Sequence, residues 1–294
     1  MATPQPLRGP VPGLWHTCLI RLLVGLALLG ASFSAPAADY TLAVAPQASP
    51  AETHRRWAPF AEHLQRATGR RLQLRVYRTF DEFETELVNG LVDFAYMNPY
   101  HFLMARKAQG YLPLVRDGSR LLNGILLVRR DSPLQSIQDL EGKVIAFPDP
   151  NAFAASLNMR ALLQETVKGR FSARYLGTHA NVYRHGILGS VAAGAGANVS
   201  LARERPETRA ELRVLYETPG TAPLPLCAHP RIPAAQREAV TRAVLEMDKN
   251  DDGRSLLKHV DLNQPVRASY ARDYQPLEKL GLEKYVVQTQ LKTR

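Results

Sequence analysis

Two stretches of this sequence place polar side chains directly after a short apolar run. The first is residues 90–101, GLVDFAYMNPYH, and the second is residues 144–160, VIAFPDPNAFAASLNMR. Proline cannot donate to a sheet ladder but fits the first turn of a helix, so each stretch predicts a buried strand, a turn and a helix. The N–H groups and the dipole at a helix N-terminus favour a negative charge. Both stretches therefore predict the binding of an anion.

We name the two helix starts the first mouth, residues 96–101, and the second mouth, residues 151–156. In an open α/β sheet, ligands bind in the crevice outside the carboxyl ends of the strands. Two mouths that face each other form a cleft between two sheets, and this is the arrangement that we expect.

The elements that position these mouths alternate regularly. Strands are predicted at residues 39–45, 72–76 and 91–95, with helical periodicity between them and Gly69 as a C-cap. Such alternation indicates a mostly parallel sheet with helices on both faces.

The second half of the chain predicts a second domain. The apolar residues 121–129 predict a strand that crosses into it, and residues 224–229 predict the return crossing. The glycine-rich residues 189–201 are typical of backbone that approaches a ligand or a neighbouring strand closely. Residues 233–285 are predicted to be helical and to pack on the first domain.

The first 37 residues have the pattern of a signal peptide. Arg8 and Arg21 precede the apolar residues 22–33, and small residues follow. The apolar run is shorter than the ~20 residues that span a bilayer. Cleavage is predicted after Ala37, which implies an exported protein.

Composition narrows the function classes. Beyond the leader, Cys227 is the one cysteine, so an intrachain disulfide and a cysteine zinc site are excluded. Its apolar neighbours predict a buried, inert thiol. The formal net charge is +10, but the basic residues form no run, so we predict no nucleic-acid partner and an attraction for anions.

Residues 248–253, DKNDDG, match the first half of an EF-hand calcium loop. The twelfth position, which should be Glu, is His259, and a polar turn between helices explains the same residues. The eight histidines show no metal-ligand spacing, and HExxH, GxSxG and P-loop motifs do not occur. We therefore predict no metal, no cofactor and no enzymatic activity.

Four segments occur in the order GLVDFAYMNPYHF, LEGKVIAFPDPN, GTHANVYRHGILG and PLCAHPRIP. With them the chain resembles the phosphonate- and phosphate-type periplasmic solute-binding proteins of ABC transporters. The resemblance implies an α/β, two-lobed type II periplasmic-binding fold, whose cleft between the lobes closes on an oxyanion. It implies a first lobe of residues 38–126 and 225–294, and a second lobe of residues 127–224. Residue types match the family's ligand positions at Tyr96, Asn98, Pro99, Tyr100 and His179.

The second mouth departs from the family pattern. Phosphonate binders typically place a cluster of Ser and Thr there, whereas this chain has NAFAAS, which leaves backbone amides, Asn151 and Ser156 as donors. Family members that hold an aminoalkyl phosphonate also supply acids for the amine, and residues 189–201 contain none. The ligand is therefore expected to lack an amine.

Nine residues are candidate ligand contacts, and several have an alternative structural role. Tyrosines in strands often belong to the core, and Asn98 and Thr178 are residue types that cap helices. Phe153 and Trp57 either wall the cleft or pack in the core, and Arg184 either pairs with an oxyanion or is exposed. The candidates are Tyr96, Asn98, Tyr100, Asn151, Ala154, Ser156, Thr178, His179 and Tyr183.

The predicted function is the capture of a small phosphonate-, phosphate- or phosphite-like oxyanion by a monomer, which delivers it to the permease of an ABC transporter. The alternative is sensing, in which the closed protein docks on the periplasmic domain of a membrane histidine kinase or another signalling receptor.

Overall fold

The computed structural model describes residues 1–2 and 40–287 of the 294-residue chain. The predicted signal peptide lies outside the described residues, except for its first two. None of the helices in the described part of the chain combines the length and apolar character needed to span a bilayer.

Within residues 40–287, the first of two sheets has six strands: β1 (Tyr40–Val44), β2 (Leu72–Val76), β3 (Phe94–Tyr96), β4 (Leu112–Asp117), β10 (Pro225–Ala228) and β11 (Pro265–Arg267). Their spatial order is β11-β4-β10-β3-β1-β2. β1 runs parallel to β2 and β3, whereas β10 is antiparallel to β3 and β4, and β11 is antiparallel to β4.

In the same described range, the second sheet has five strands: β5 (Gly124–Arg129), β6 (Val144–Phe147), β7 (Ser172–Tyr175), β8 (Ala193–Ala197) and β9 (Leu212–Glu217). Their order is β7-β6-β8-β5-β9. β6 is parallel to β7 and β8, whereas β5 is antiparallel to β8 and β9.

Both sheets are mixed, which corrects the expectation of mostly parallel sheets. β5 follows a strand of the first sheet, and β10 follows a strand of the second, so neither enters its sheet through the helical crossover that makes neighbouring strands parallel. Each crossing strand runs against its neighbours instead.

Helices flank the sheets, and the α/β class predicted from the sequence is confirmed. The helices are α1 (Pro50–Thr68), α2 (Phe80–Val88), α3 (Pro99–Gln109), α4 (Asn158–Thr166), α5 (His179–Ile187), α6 (Asn198–Ala202), α7 (Pro206–Ala210), α8 (Ala234–Met247) and α9 (Asp251–His259). Gly69 ends α1 in the left-handed conformation, at φ +64°, as the C-cap prediction requires.

The C-terminal part departs from its prediction. Residues 233–285 were expected to be helical, but they include β11, which pairs with β4 at the edge of the first sheet. A strand of three residues is too short to produce a recognisable alternation, so the sequence pattern does not reveal it. β4 was not predicted either.

The calcium-like residues 248–253 form a helix start. Asn250 Oδ1 accepts a hydrogen bond from Gly253 N at 2.7 Å and caps α9, while Arg254 pairs with Asp251 at 2.6 Å. The motif thus corresponds to the polar turn between helices that was its alternative explanation.

The two sheets are joined by two crossing segments that lie side by side. Leu122 and Thr221 form an antiparallel bridge, and Asn123 Nδ2 donates to Thr218 O at 2.8 Å. The chain passes from β4 to β5 and returns from β9 to β10 through these segments. The lobe boundaries at residues 126/127 and 224/225 stay predictions.

The apolar core continues from the first sheet into the second mouth. Phe153 and Leu157 belong to the same buried cluster as Phe94 and Phe102 of the first sheet and its helices, while two smaller clusters serve the second sheet. The side chains of the second mouth therefore pack on both halves of the molecule.

Candidate functional site

A cavity of about 30 Å³ lies between the ends of the two sheets, and we name it the inner cavity. Five helices begin at its wall: α2 at Phe80, α3 at Asn98, the turn before α4 at residues 152–155, α5 at His179 and α6 at residues 197–200. The lining residues are Gln47, Phe80, Asn98, Leu122, Ala152, Phe153, Ala154, Ala155, His179, Ala197, Val199, Ser200 and Leu224.

Among the described residues, the lining of the inner cavity contains no Asp, Glu, Lys or Arg. Its electrostatic character therefore comes from the helix N-termini, each of which carries roughly half a positive charge. A single anion near one such terminus gains typically 0.3–1 kcal/mol, and up to about 2 kcal/mol in partly buried geometries. Convergence of several termini makes this a cavity for a negative group without a charged side chain.

The first mouth is capped by its own side chain. Asn98 is 4% exposed and its Oδ1 accepts a hydrogen bond from His101 N at 2.8 Å. Pro99 follows and has no N–H group. Because Oδ1 is engaged by the helix, the Nδ2 group of Asn98 is the part that remains to donate to a ligand in the cavity.

The second mouth begins with a π-helical turn, Phe153–Leu157, and has no side-chain cap. The first N–H groups of a helix lack acceptors within the helix, and here they belong to residues that line the cavity. Ser156 is fully buried, and its Oγ has no hydrogen-bond partner among the described residues. The backbone N–H groups at residues 153–155 are thus the donors that the second mouth offers to the cavity, whereas Ser156 is not among the lining residues.

Gly124 allows the crossing strand β5 to approach the second mouth. A Cβ atom at this position would lie 2.3 Å from Ala154 O. A side chain at residue 124 would therefore displace the backbone that lines the cavity.

Asn151 is buried but directed elsewhere. Its Nδ2 donates to Val287 O at 3.2 Å, and its Oδ1 accepts from Val287 N at 3.1 Å. Arg160 Nη2 donates to Tyr285 O at 2.6 Å and to Pro150 O at 2.7 Å. Asn151 therefore anchors the C-terminal segment to the second mouth, and it is not among the residues that line the inner cavity.

His179 follows Thr178, whose hydroxyl caps α5 by accepting from Asn181 N at 3.2 Å. The ring of His179 lines the inner cavity and is 9% exposed. Burial, with the nearby charge of Arg203, lowers its pKa to about 3. The ring is therefore neutral at pH 7, and its buried Nδ1 has no partner among the described residues.

Tyr183 lies behind the cavity wall rather than in it. Its hydroxyl and Ser200 Oγ are 2.8 Å apart, and Ser200 also bonds the backbone of Ala197. Gly196 makes room for this ring, because a Cβ there would lie 2.5 Å from the tyrosine oxygen. The predicted close approach in the glycine-rich segment therefore serves packing against α5.

Two other candidates, Tyr96 and Tyr100, lie in two different places. Tyr96 is buried, its ring centroid lies 4.6 Å from that of Trp57 with the rings tilted by 46°, and it lines a small space with Arg203 and Asp261. Tyr100 is half-buried and lines a separate surface groove with Tyr270 and Glu283; burial, with Glu84 and Glu283, raises its pKa to about 12.

Trp57 belongs to the core and Arg184 is exposed, whereas Phe153 lines the inner cavity. Of the nine candidates, Asn98, Ala154 and His179 line it together.

An outer pocket of about 470 Å³ adjoins the inner cavity and shares Gln47, His179 and Ser200 with it. It is lined by charged groups of both signs. Arg56 and Arg203 both pair with Asp261, so residues from both halves of the molecule meet at this carboxylate. The other charged lining residues are Glu52, Glu204 and Arg205.

Sequence reasoning missed several lining residues. Gln47 follows β1 directly, so the rule that ligands bind at the carboxyl ends of strands was a signal that could have found it. Ser200 lies in the glycine-rich segment that was singled out for its backbone. Phe80, Leu122 and Leu224 look like ordinary core residues, and no sequence signal distinguishes them.

A family model matches residues 42–274: the periplasmic substrate-binding protein of phosphonate ABC transporters. The match covers most of the chain and includes both mouths and both crossing segments. The chain belongs to this family. The family consists of substrate-binding proteins, so its members bind a small ligand and act with an ABC transporter.

Solved structures confirm the two-lobed fold. PhnD1 from Prochlorococcus marinus in complex with methylphosphonate has a TM-score of 0.74 and 14% identity, covering 84% of this chain and 98% of that chain.

A Xanthomonas citri protein bound to chloride ion has a TM-score of 0.71 and 16% identity with the same coverage of 84% and 98%. A binding-protein component of an ABC phosphonate transporter from Pseudomonas aeruginosa has a TM-score of 0.72 and 15% identity, covering 84% and 86%. At these identities the likeness shows the fold alone.

Proposed function

We propose that this protein captures a small phosphorus oxyanion in the inner cavity and presents it to the permease of an ABC transporter. The observation that carries the proposal is the cavity wall, where, within residues 40–287, five helices begin and the lining residues include no charged side chain. Family membership supports a role in transport. The helix N-termini at the cavity wall support a negatively charged ligand.

The oxyanion is held mainly by the second mouth. Backbone N–H groups at residues 153–155 donate to its oxygens, and Asn98 Nδ2 donates from the opposite lobe. A hydrogen bond to a charged group contributes about 1.5–3 kcal/mol, so a few such bonds account for micromolar binding. Contacts from both lobes explain why the ligand favours closure.

The size of the inner cavity restricts the ligand. Pockets for drug-sized ligands measure about 300–1,000 Å³, an order of magnitude more than the 30 Å³ found here. The inner cavity therefore takes an oxyanion head with a substituent no larger than a methyl group, and a longer substituent extends into the outer pocket. Because the inner lining has no carboxylate, we expect methylphosphonate, phosphite or phosphate rather than an aminoalkyl phosphonate.

The remaining features of the proposal concern the cell and the partner. Residues 1–37 direct export and are removed after Ala37, the mature protein is a monomer in the periplasm, and it binds its ligand without transforming it. Docking on a membrane histidine kinase is the alternative to docking on a permease. Co-purification of the loaded protein with each membrane partner separates these two roles.

Thermal unfolding with each anion tests ligand capture. A ligand at 100 times its Kd stabilises the folded protein by about 2.7 kcal/mol, so methylphosphonate, phosphite or phosphate should raise Tm, and 2-aminoethylphosphonate should not. If Tm is unchanged with all three anions at millimolar concentration, the proposed ligand class is wrong. Phosphorus NMR of the recovered anion should show it unaltered.

A further inference from the structure

Asn151 joins the second mouth to the C-terminal segment of the chain. Its side chain is buried and pairs twice with the backbone of Val287: Nδ2 donates to the carbonyl oxygen at 3.2 Å, and Oδ1 accepts from the N–H group at 3.1 Å. Arg160 Nη2, on α4, donates to Tyr285 O at 2.6 Å. We name Asn151, Arg160 and the backbone of residues 285–287 the clasp.

The two sides of the clasp belong to different sheets. Asn151 and Arg160 follow β6, a strand of the second sheet. On the other side, Leu277 and Leu282 are buried in the core cluster of the first sheet, and Tyr285 packs against that cluster. A rotation of one half of the molecule about the two crossing segments therefore separates the two sides of the clasp.

The clasp also reaches the first mouth. Asn151 Nδ2 lies 3.5 Å from Glu84 Oε2, and Glu84 Oε1 lies 2.7 Å from Nε2 of the buried His101. The N–H group of His101 donates to Asn98 Oδ1 in the cap of α3. Asn151 thus stands between the C-terminal segment and both mouths, yet it is not among the described residues that line the inner cavity.

The clasp lies partly outside the pattern that the family shares. Residues 285–287 follow residues 42–274, which match the family model. At the second mouth, this chain has NAFAAS, which begins with Asn151, in place of the cluster of Ser and Thr that phosphonate binders typically have. The clasp therefore joins a residue of the departing stretch to a segment beyond the family match.

We propose that the clasp holds the closed form of the protein, so that Asn151 and Arg160 set the lifetime of the bound anion without touching it. This inference rests on the proposed function, since it concerns release of the anion from the inner cavity. The anion enters while the two sides of the clasp are apart, and the clasp forms as the two halves meet. The clasp therefore lowers the dissociation rate and leaves the association rate unchanged. Both side chains are positioning residues.

Val287→Pro tests the clasp and leaves Asn151 intact. Proline removes the N–H group that donates to Asn151 Oδ1. Val286 has φ −66° and ψ 129°, the extended conformation that a residue before proline prefers, so proline fits at position 287. In calorimetric titration of the full chain, the affinity for methylphosphonate should fall about fivefold, the value of one hydrogen bond. Phosphorus exchange NMR should show this loss as a faster dissociation rate.

Asn151→Ala removes both hydrogen bonds to Val287 and should weaken binding of methylphosphonate about tenfold. Because the two variants break the same contact, the double variant should also bind about tenfold more weakly than the parent, not about fiftyfold. Asn89→Ala is the matched control, because Asn89 Nδ2 donates to the backbone oxygen of Thr85 at 2.9 Å within the end of α2. It should change neither the affinity nor the dissociation rate.

The outcomes distinguish the clasp from the function on which it rests. If methylphosphonate, phosphite and phosphate all fail to bind the parent, both are wrong. If the parent binds but Val287→Pro binds as tightly, the function stands and the clasp is wrong; weaker binding by Asn151→Ala alone would then mark a direct contact with the ligand. Losses that multiply in the double variant, or that lie in the association rate, also contradict the clasp. Should Asn151→Ala fail to fold, the affinity and the dissociation rate of Val287→Pro decide.

Discussion

The two mouths follow the same strand, turn and helix plan, yet they leave different groups for a ligand. In the first mouth, Asn98 caps its own helix and Pro99 has no N–H, so the mouth offers mainly one side-chain amide. In the second mouth, a π-helical turn without a side-chain cap leaves backbone donors along the inner cavity. One mouth therefore offers a side-chain donor to the inner cavity, and the other offers backbone donors.

The same comparison explains the sequence of the second mouth. Backbone donors need no hydroxyl side chains, so NAFAAS can bind an anion if its backbone is held in place. Phe153 and Leu157 pack into the core of the first lobe, and Asn151 fixes the turn through Val287. Apolar packing there positions the donors.

The largest effect is expected from Gly124→Ala, which disturbs the second mouth alone. Its Cβ would lie 2.3 Å from Ala154 O, and such overpacking costs about 1–3 kcal/mol. We expect the affinity for methylphosphonate to fall by about 100-fold in calorimetric titration. Gly186→Ala is the matched control, because its Cβ would meet Leu212 at an ordinary 3.7 Å. Equal affinities for the two variants would contradict the placement of the anion.

The turn of the second mouth also contains Asp149, which is expected to make stability depend on pH. Burial raises the pKa of Asp149 to about 6, and the nearby carboxylates of Glu84 and Asp81 act in the same direction. The folded state holds the proton of Asp149 more tightly than the unfolded state does. The contribution of this carboxyl to the free energy of unfolding is therefore fully present below pH 4 and is lost as pH rises through 6.

Asp149→Asn should abolish the decrease in stability between pH 4 and pH 7.5 that comes from this carboxyl, because an amide side chain does not titrate. The variant should exceed the parent in free energy of unfolding by about 3 kcal/mol at pH 7.5 and by less than about 1 kcal/mol at pH 4, as measured by urea denaturation. The exposed Asp252→Asn is the control and should follow the parent at both pH values. If the variant and the parent differed by the same free energy of unfolding at both pH values, this carboxyl would not titrate in that range.

The first mouth is tested by Asn98→Ala. The loss of the cap should lower stability by about 1 kcal/mol, and the loss of Nδ2 should weaken binding of methylphosphonate by about tenfold. Asn250→Ala removes an equivalent cap at α9, outside the inner cavity lining. It should lower stability similarly without changing affinity. Equal affinities for these two variants would limit Asn98 to helix capping.

The smallest effect is expected from Tyr100→Phe. Tyr100 belongs to the first mouth in sequence, but its side chain lines the surface groove with Tyr270. Removal of its hydroxyl should leave the titration curve with methylphosphonate unchanged. A tenfold loss of affinity would return Tyr100 to the ligand site, as the family resemblance implies.

The sequence predicted the strands and helices around the two mouths, because proline, glycine and apolar periodicity act locally, but it missed β4 and β11. The sequence did not distinguish Tyr100, which lines the surface groove, from Asn98, which lines the inner cavity. Side chains two residues apart in a helix point to different faces, so these two neighbours reach different places. The sequence also predicted that Asn151 contacts the ligand. Its hydrogen-bond partner Val287 is 136 residues away, so no local pattern indicates their contact. The lining by Leu122 and Leu224 depends on how two crossing segments meet, which no local pattern encodes.

Amide chemical shifts measure the central claim most directly. In ¹H–¹⁵N spectra of the labelled mature protein, saturating methylphosphonate should shift the amide signals of Phe153, Ala154 and Ala155 most strongly, because these N–H groups gain a charged acceptor. The amide of His101, already bonded to Asn98 Oδ1, should shift little. Binding that leaves the three second-mouth amides unchanged while shifting signals around Tyr100 would contradict the account.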